Sequence, residues 1–204
     1  MIKIENILEP SAMQWETVIM GARNPMNSWK KSDSQYYAHD CFDIGNNDLD
    51  LMTKLVKAGT DHRKFMRMIV VYADITAPLY WWKEYDTYKV GTVANSCSTM
   101  HKIHEKEFTL DDFSCEHCPS FINGVMETLE NWRKMYLETK NKEYWYSIIQ
   151  LLPSSYNQKR TVMLNYEVLK NMYHSRKNHK LDEWKAFCDF IEQLPYAKEL
   201  ICNE

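Results

Sequence analysis

The first residues, MIKIENIL, alternate apolar and polar side chains and predict a half-buried strand, because successive strand side chains face opposite sides. Trp15, Val18 and Ile19 then recur at helical spacing and predict a short helix. ARNPMNSWKKSDSQ has Pro, Asn and Ser in turn positions and reads as loop. From Asp48 to Ala58, DLDLMTKLVKA places Leu51, Leu55 and Ala58 on one helical face, with Asp48 as the expected N-cap and Gly59 as the stop. Met68 to Ile75 is the most β-prone run and predicts a buried strand. Pro78 ends it and falls near the first turn of a helix over LYWWKEY, whose Trp81 and Trp82 belong on a packed face.

The second half reads as helical. Phe121, Val125, Leu129, Trp132 and Tyr136 form one stripe, and Tyr144 to Leu152 forms a short amphipathic unit stopped before Pro153. Val162, Leu169 and Tyr173 outline a third helix, and Leu181 to Ile201 a fourth. The pattern predicts an α+β fold, a small sheet with a helix-rich C-terminal half, in a single domain over residues 1–204.

Composition narrows the function classes. At 204 residues with 45% hydrophobic and 26% charged side chains, the chain can bury one good core or two small ones, with one domain as the default. Formal net charge is −3 and the basic residues are dispersed, which argues against long nucleic acid as a partner but leaves room for a phosphate pocket. No apolar run approaches the ~20 residues of a membrane helix, so no membrane partner is expected. The first residues carry acids where a signal peptide has basic ones, and the expected location is cytoplasmic. Six irregularly spaced cysteines then read as mostly reduced thiols.

Phosphate-loop, nucleophile-elbow and zinc-protease motifs are absent. One metal-like spacing is present: His101 and His104, followed by Cys115 and Cys118, could supply tetrahedral zinc, and a zinc-supported interaction protein is one reading. The other reading of these cysteines is a loop cap and a buried thiol. Arg176 ends a helical stripe and has the forked donors suited to phosphate, although basic residues also favour helix C-termini for dipole reasons. Asn165 stands within the third predicted helix, where Asn has poor propensity. His62 and Arg67 precede the strongest strand and read as cleft residues or a solvated turn, and Lys83 and Glu84 follow the Trp pair. Asn95-Ser96-Cys97-Ser98-Thr99-Met100-His101 is a run of small polar residues that no core helix would choose.

In chain order, these features resemble the flavin-dependent thymidylate synthases, the ThyX family. Asn95 and Ser98 match the second part of the signature R-H-R-x-x-S-x-N-E-x-S-x-R-Y, while Ser96, Met100 and His101 stand where the family has Glu, Arg and Tyr. Phe65 and Arg67 fall on the family's Pro-Phe-x-His stretch, with Arg67 at the His. Lys83, Glu84 and Tyr85 fall on its Arg-His-Arg, and a short insertion around DTYKV follows. Leu152-Pro153, Asn165 and, eleven positions later, Arg176 reproduce the downstream register, and Arg23 matches an early Ala-Arg-x-Ser.

The resemblance implies a ThyX-like fold, a homotetramer with FAD at subunit interfaces, and conversion of dUMP, a pyrimidine nucleotide, to dTMP with methylenetetrahydrofolate and NADPH. It places Arg67, Asn95 and Asn165 at the flavin and Lys83, Ser98 and Arg176 at the nucleotide, and needs no protein nucleophile. His62, Arg63 and Lys89 could supply charge missing from the Arg-His-Arg positions. A non-catalytic nucleotide-binding protein that kept the fold is the alternative.

Overall fold

In the computed structural model, which describes residues 2–38 and 41–203, the alternating start of the chain forms β1 (Lys3–Leu8). It is an edge strand of a four-stranded sheet of order β1-β4-β6-β5, so most of its side chains are exposed rather than half-buried. The other strands are β4 (Val70–Pro78), β5 (Thr92–Ser96) and β6 (Asn157–Asn165). A separate antiparallel pair, β2 (Gln35–Ala38) and β3 (Cys41–Asp43), follows the Pro/Asn/Ser stretch. The helices are α1 (Ala12–Arg23), α2 (Asn46–Lys57), α3 (Leu79–Tyr85), α4 (Pro119–Thr139), α5 (Lys142–Leu151), α6 (Tyr166–Arg176) and α7 (Asp182–Gln193). The architecture is α+β as the pattern predicts.

The described chain divides into two compact units. One comprises residues 2–4, 74–87 and 94–161. Its core gathers Ile103, Phe108 and Phe113 against Ile122 and Leu129 of α4 and Ile148 of α5. Val125, Leu129 and Trp132 of the expected α4 stripe pack on this cluster, but its N-terminal member is Ile122, with Met126 beside it, while Phe121 is exposed. Trp81 and Trp82 are both buried, as expected, and Tyr85 joins them at ring distances of 5.3 and 4.9 Å. Trp82 Nε1 donates to the Gln158 carbonyl at 2.9 Å, so the indole is satisfied inside the core.

The other unit comprises residues 5–73, 88–93 and 162–203. Trp15 of α1 packs edge-on to Tyr166 and Tyr196 at 5.7 and 5.3 Å, and Met52, Leu169 and Trp184 of this unit are fully buried. Lys170 Nζ donates to the Ile201 and Asn203 carbonyls at 3.0 and 2.6 Å, holding the last residues against α6.

Four local expectations change. Asp48 is not the cap of α2; Gly45 is, and the Asp33 carboxylate reaches across to accept from Asn47 N and Asp48 N at 2.9 and 3.1 Å. Asp48 is freed for a buried ion pair with Arg23. Residues 63–68 close into a 3-10 segment, so the strand begins at Val70. The third predicted helix is β6 followed by α6: Gln158, Val162 and Leu164 are buried at strand spacing, and Asn165 is the boundary. The fourth is α7 and a π-helical turn, Lys198–Cys202. Pro195 lacks the amide a continuous helix needs, and Tyr196 takes φ +55°.

Candidate functional site

Asn165 owes its place to capping, not to a helix interior. Its Oδ1 accepts from Val168 N at 2.9 Å, satisfying one of the free amides that open α6. Opposite it, Gly91 adopts φ +84°, and a Cβ there would lie 2.2 Å from Asn165 Nδ2. Only glycine allows this approach.

Arg67 comes from the 3-10 segment Arg63–Met68 and meets the same place. Its Nε donates to Glu167, in the first turn of α6, and Arg63 Nε reaches the other Glu167 oxygen at 3.4 Å. Glu167 is 9% exposed at its side chain whereas Arg67 is 53% exposed. The hydrogen bond and charge of Glu167 raise the pKa of Arg67, keeping it cationic. Arg67, Asn165, Glu167, Asn171, Val90 and Gly91 line a cavity of about 260 Å³.

Arg176 ends α6, on the expected helix terminus. Its Nε donates to the Tyr88 hydroxyl at 2.9 Å, and its guanidinium carbon stands 4.8 Å from the Trp184 ring and 5.6 Å from the Tyr88 ring. Cation–π contact and the hydrogen bond fix the plane of the fork. Tyr88 lies in the DTYKV segment, so that segment supplies a partner of Arg176. About 16 Å of α6 separates it from Asn165, at about 1.5 Å per residue.

The remaining expected residues lie in the other unit. Lys83 is exposed on α3 and Asn95 is exposed on β5. Ser98 Oγ accepts from Met100 N and His101 N at 3.2 and 2.9 Å, closing the turn after β5. Ser98 also lines a cavity of about 520 Å³ with Cys97, Lys102, Lys106, Phe108 and Tyr156. Burial pushes the Tyr156 hydroxyl up to about 12, so it is a neutral donor at neutral pH.

The four residues with zinc-like spacing are not gathered into one cluster. Among the described residues no three His, Cys, Asp or Glu are arranged to hold a metal ion. His101 is exposed on the Ser98 turn, while the His104 ring packs edge-on to Tyr136 at 4.8 Å. Cys115 packs on the α4–α5 core, while exposed Cys118 is the N-cap residue of α4 without a side-chain cap bond. Sequence spacing brought these groups near in the chain without converging their lone pairs.

Sequence reasoning missed Tyr88, Gly91, Glu167 and Trp184. A Gly-Thr pair ahead of a short β-branched run was the available signal for Gly91; nothing local marked the others.

No protein-family model and no curated protein matches the sequence. Among solved structures, the chain is similar to the flavin-dependent thymidylate synthase ThyX of Helicobacter pylori complexed with FAD and dUMP, with 15% identity, 98% of this chain and 97% of that chain covered, and a TM-score of 0.73. It is likewise similar to a structure of Thymidylate Synthase X from Helicobacter pylori with FAD and dUMP, with 14% identity, coverage of 98% and 96%, and a TM-score of 0.73. The chain therefore has the fold of the flavin-dependent thymidylate synthases.

Proposed function

We propose that the protein acts on dUMP or a related pyrimidine nucleotide by reductive methylation through FAD, with methylenetetrahydrofolate and NADPH as co-substrates. The observation that carries this reading is the end-to-end match in fold to enzymes solved with FAD and dUMP. In the resemblance, Asn165, the N-cap of α6, and Arg176, its last residue, stand at the family's flavin and nucleotide positions.

The residues fit a flavin nucleotide in kind. Val90 and Val168 give apolar wall, Asn165 and Asn171 give amides, and Arg67 gives a cation. A cavity of about 260 Å³ lies below the ~300–1,000 Å³ usual for whole ligands, which suits a site completed by other subunits of a homotetramer. When bound, FAD supplies hydride chemistry. The chain's own part is to orient: Arg67, Asn95 and Asn165 toward the flavin, and Lys83, Ser98 and Arg176 toward the nucleotide. Tyr88 and Trp184 hold Arg176 in one plane, which limits the entropy lost when it grips phosphate. The reading is of one domain in the cytoplasm; no helix among the described residues is long and apolar enough to cross a membrane.

A non-catalytic nucleotide-binding protein is the second reading, and one observation favours it. Tyr85, at the last Arg-His-Arg position, is 2% exposed, and burial raises its hydroxyl pKa so that it stays neutral. That position offers no charge to a ligand.

Purified protein reconstituted with FAD is expected to show a bound-flavin absorption spectrum and to scatter light as a tetramer. Colourless protein that ignores FAD but is stabilised by dUMP would establish the second reading. Arg176→Ala is expected to weaken dUMP binding at least tenfold in a calorimetric titration, since a charged hydrogen bond contributes about 1.5–3 kcal/mol. Unchanged affinity would remove Arg176 from the nucleotide site.

A further inference from the structure

The cavity of about 520 Å³ beside Ser98 lies wholly within one compact unit, and its volume is in the ~300–1,000 Å³ range usual for whole ligands. Its lining has two characters. Part is apolar: Ile103 and Phe108 are buried, and the Tyr156 ring stands edge-on to Phe108 at 6.3 Å. The rest carries three exposed ammonium groups, those of Lys102, Lys106 and Lys159.

Each lysine is steadied by one carboxylate: Lys102 by Glu105, Lys106 by Asp112 at 2.8 Å and Lys159 by Asp74 at 2.9 Å. An ammonium has three hydrogens, and among the described residues Lys102 and Lys106 commit one each. The two carboxylates that line the cavity are engaged already. Asp112 accepts from Lys106 and from Thr109 N and Oγ1, while Glu130 and then Glu107 raise the pKa of Arg133, so Glu107 faces a cation of its own. The Tyr156 hydroxyl, a neutral donor, makes no hydrogen bond within the described residues.

An aromatic wall beside ammonium groups selects a flat ring that carries carboxylates. Ser98, assigned above to the nucleotide, lines the same cavity, and a one-carbon donor must lie against the pyrimidine that accepts the carbon. We propose that this cavity holds the aryl-glutamate part of the folate co-substrate, with Ile103, Phe108 and the Tyr156 ring against the aryl group and Lys102 and Lys106 on the glutamate carboxylates. The inference rests on the methylation reading only for the molecule that carries the aryl-glutamate. A longer glutamate tail brings more carboxylates to the lysines, so tail length reports on them directly.

Calorimetric titration of the full chain, alone and with FAD and dUMP present, tests the site with p-aminobenzoyl-glutamate and p-aminobenzoyl-triglutamate. The parent is expected to bind both, the triglutamate at least threefold tighter, with the difference shrinking as salt is added. Replacing Lys102→Met and Lys106→Met together keeps the apolar stems and breaks only exposed ion pairs, which add little to stability. That variant is expected to lose the preference for the longer tail with its melting temperature unchanged. Tyr156→Phe keeps the ring and is expected to weaken both compounds about fivefold. A parent that binds neither compound, variants that bind both as the parent does, or free triglutamate bound as tightly as its aryl form overturns the proposal. Aryl-glutamate binding by a protein that takes up neither FAD nor dUMP keeps this site and defeats the methylation reading; FAD and dUMP binding without aryl-glutamate binding does the reverse.

Discussion

Asp48→Ala is expected to destabilise the protein by about 3–5 kcal/mol, the loss typical of breaking a buried ion pair by removing one partner. Asp48 is fully buried and Arg23 is 3% exposed, with Nε to Oδ1 at 2.5 Å. The other carboxylate oxygen accepts from Ser32 Oγ, Ser34 Oγ, Asp33 N and Ser34 N at 2.7, 2.6, 3.1 and 3.1 Å. Alanine would strand the arginine charge and orphan these donors together. Asp48→Asn keeps the shape and one strong acceptor, and a smaller loss is expected. Urea unfolding measures both; an Asp48→Ala midpoint equal to the parent's would show that the network contributes nothing to stability.

The same carboxylate sets an acid limit. Burial alone would raise its pKa, but hydrogen bonds from Ser34, Ser32 and Arg23 outweigh burial and leave it below the ordinary value. A pKa depressed in the fold gives stability that is complete above the unfolded value of about 3.9 and is lost as pH falls through the folded one. The parent should therefore lose stability below about pH 4, and Asp48→Ala should flatten that slope.

Gly91→Ala should cost about 2–3 kcal/mol and disable the cavity as well, because an L side chain at positive φ is strained and a helix cap is lost with it. The new Cβ would stand 2.2 Å from Asn165 Nδ2, and that amide cannot swing aside without giving up its bond to Val168 N. Thermal unfolding gives the stability change and FAD titration the loss of binding. A variant that melts and binds like its parent would mean that the Gly91 segment does not pack on Asn165 in solution.

The elements with strong local signals were legible. The Trp pair behind Pro78, the α5 stop before Pro153 and the Gly59 terminus each follow from a side-chain preference that operates within a few residues. Asn165 was legible as unusual but not as a boundary: a stripe of Val162, Leu169 and Tyr173 fits a helix, and only burial at 158, 162 and 164 decides for a strand. Asp48 shows the opposite error. Its position suits a local cap, and a partner 25 residues away claimed it instead.

For the stretch from Tyr85 to Glu107, tertiary structure supplied the reasons that local pattern lacked. Tyr85 fills a core, Tyr88 holds Arg176, Gly91 admits the Asn165 amide, and residues 92–96 form an edge strand. The sequence by itself determined the α+β class and the packed aromatic face of Trp81 and Trp82, because periodicity and spacing are properties of neighbouring residues. Which arginine pairs with Glu167, which glycine clears Asn165, and that His101, His104, Cys115 and Cys118 are not gathered into one cluster were decided only by tertiary structure. Those facts depend on groups brought together from distant parts of the chain, and no window of sequence contains both partners.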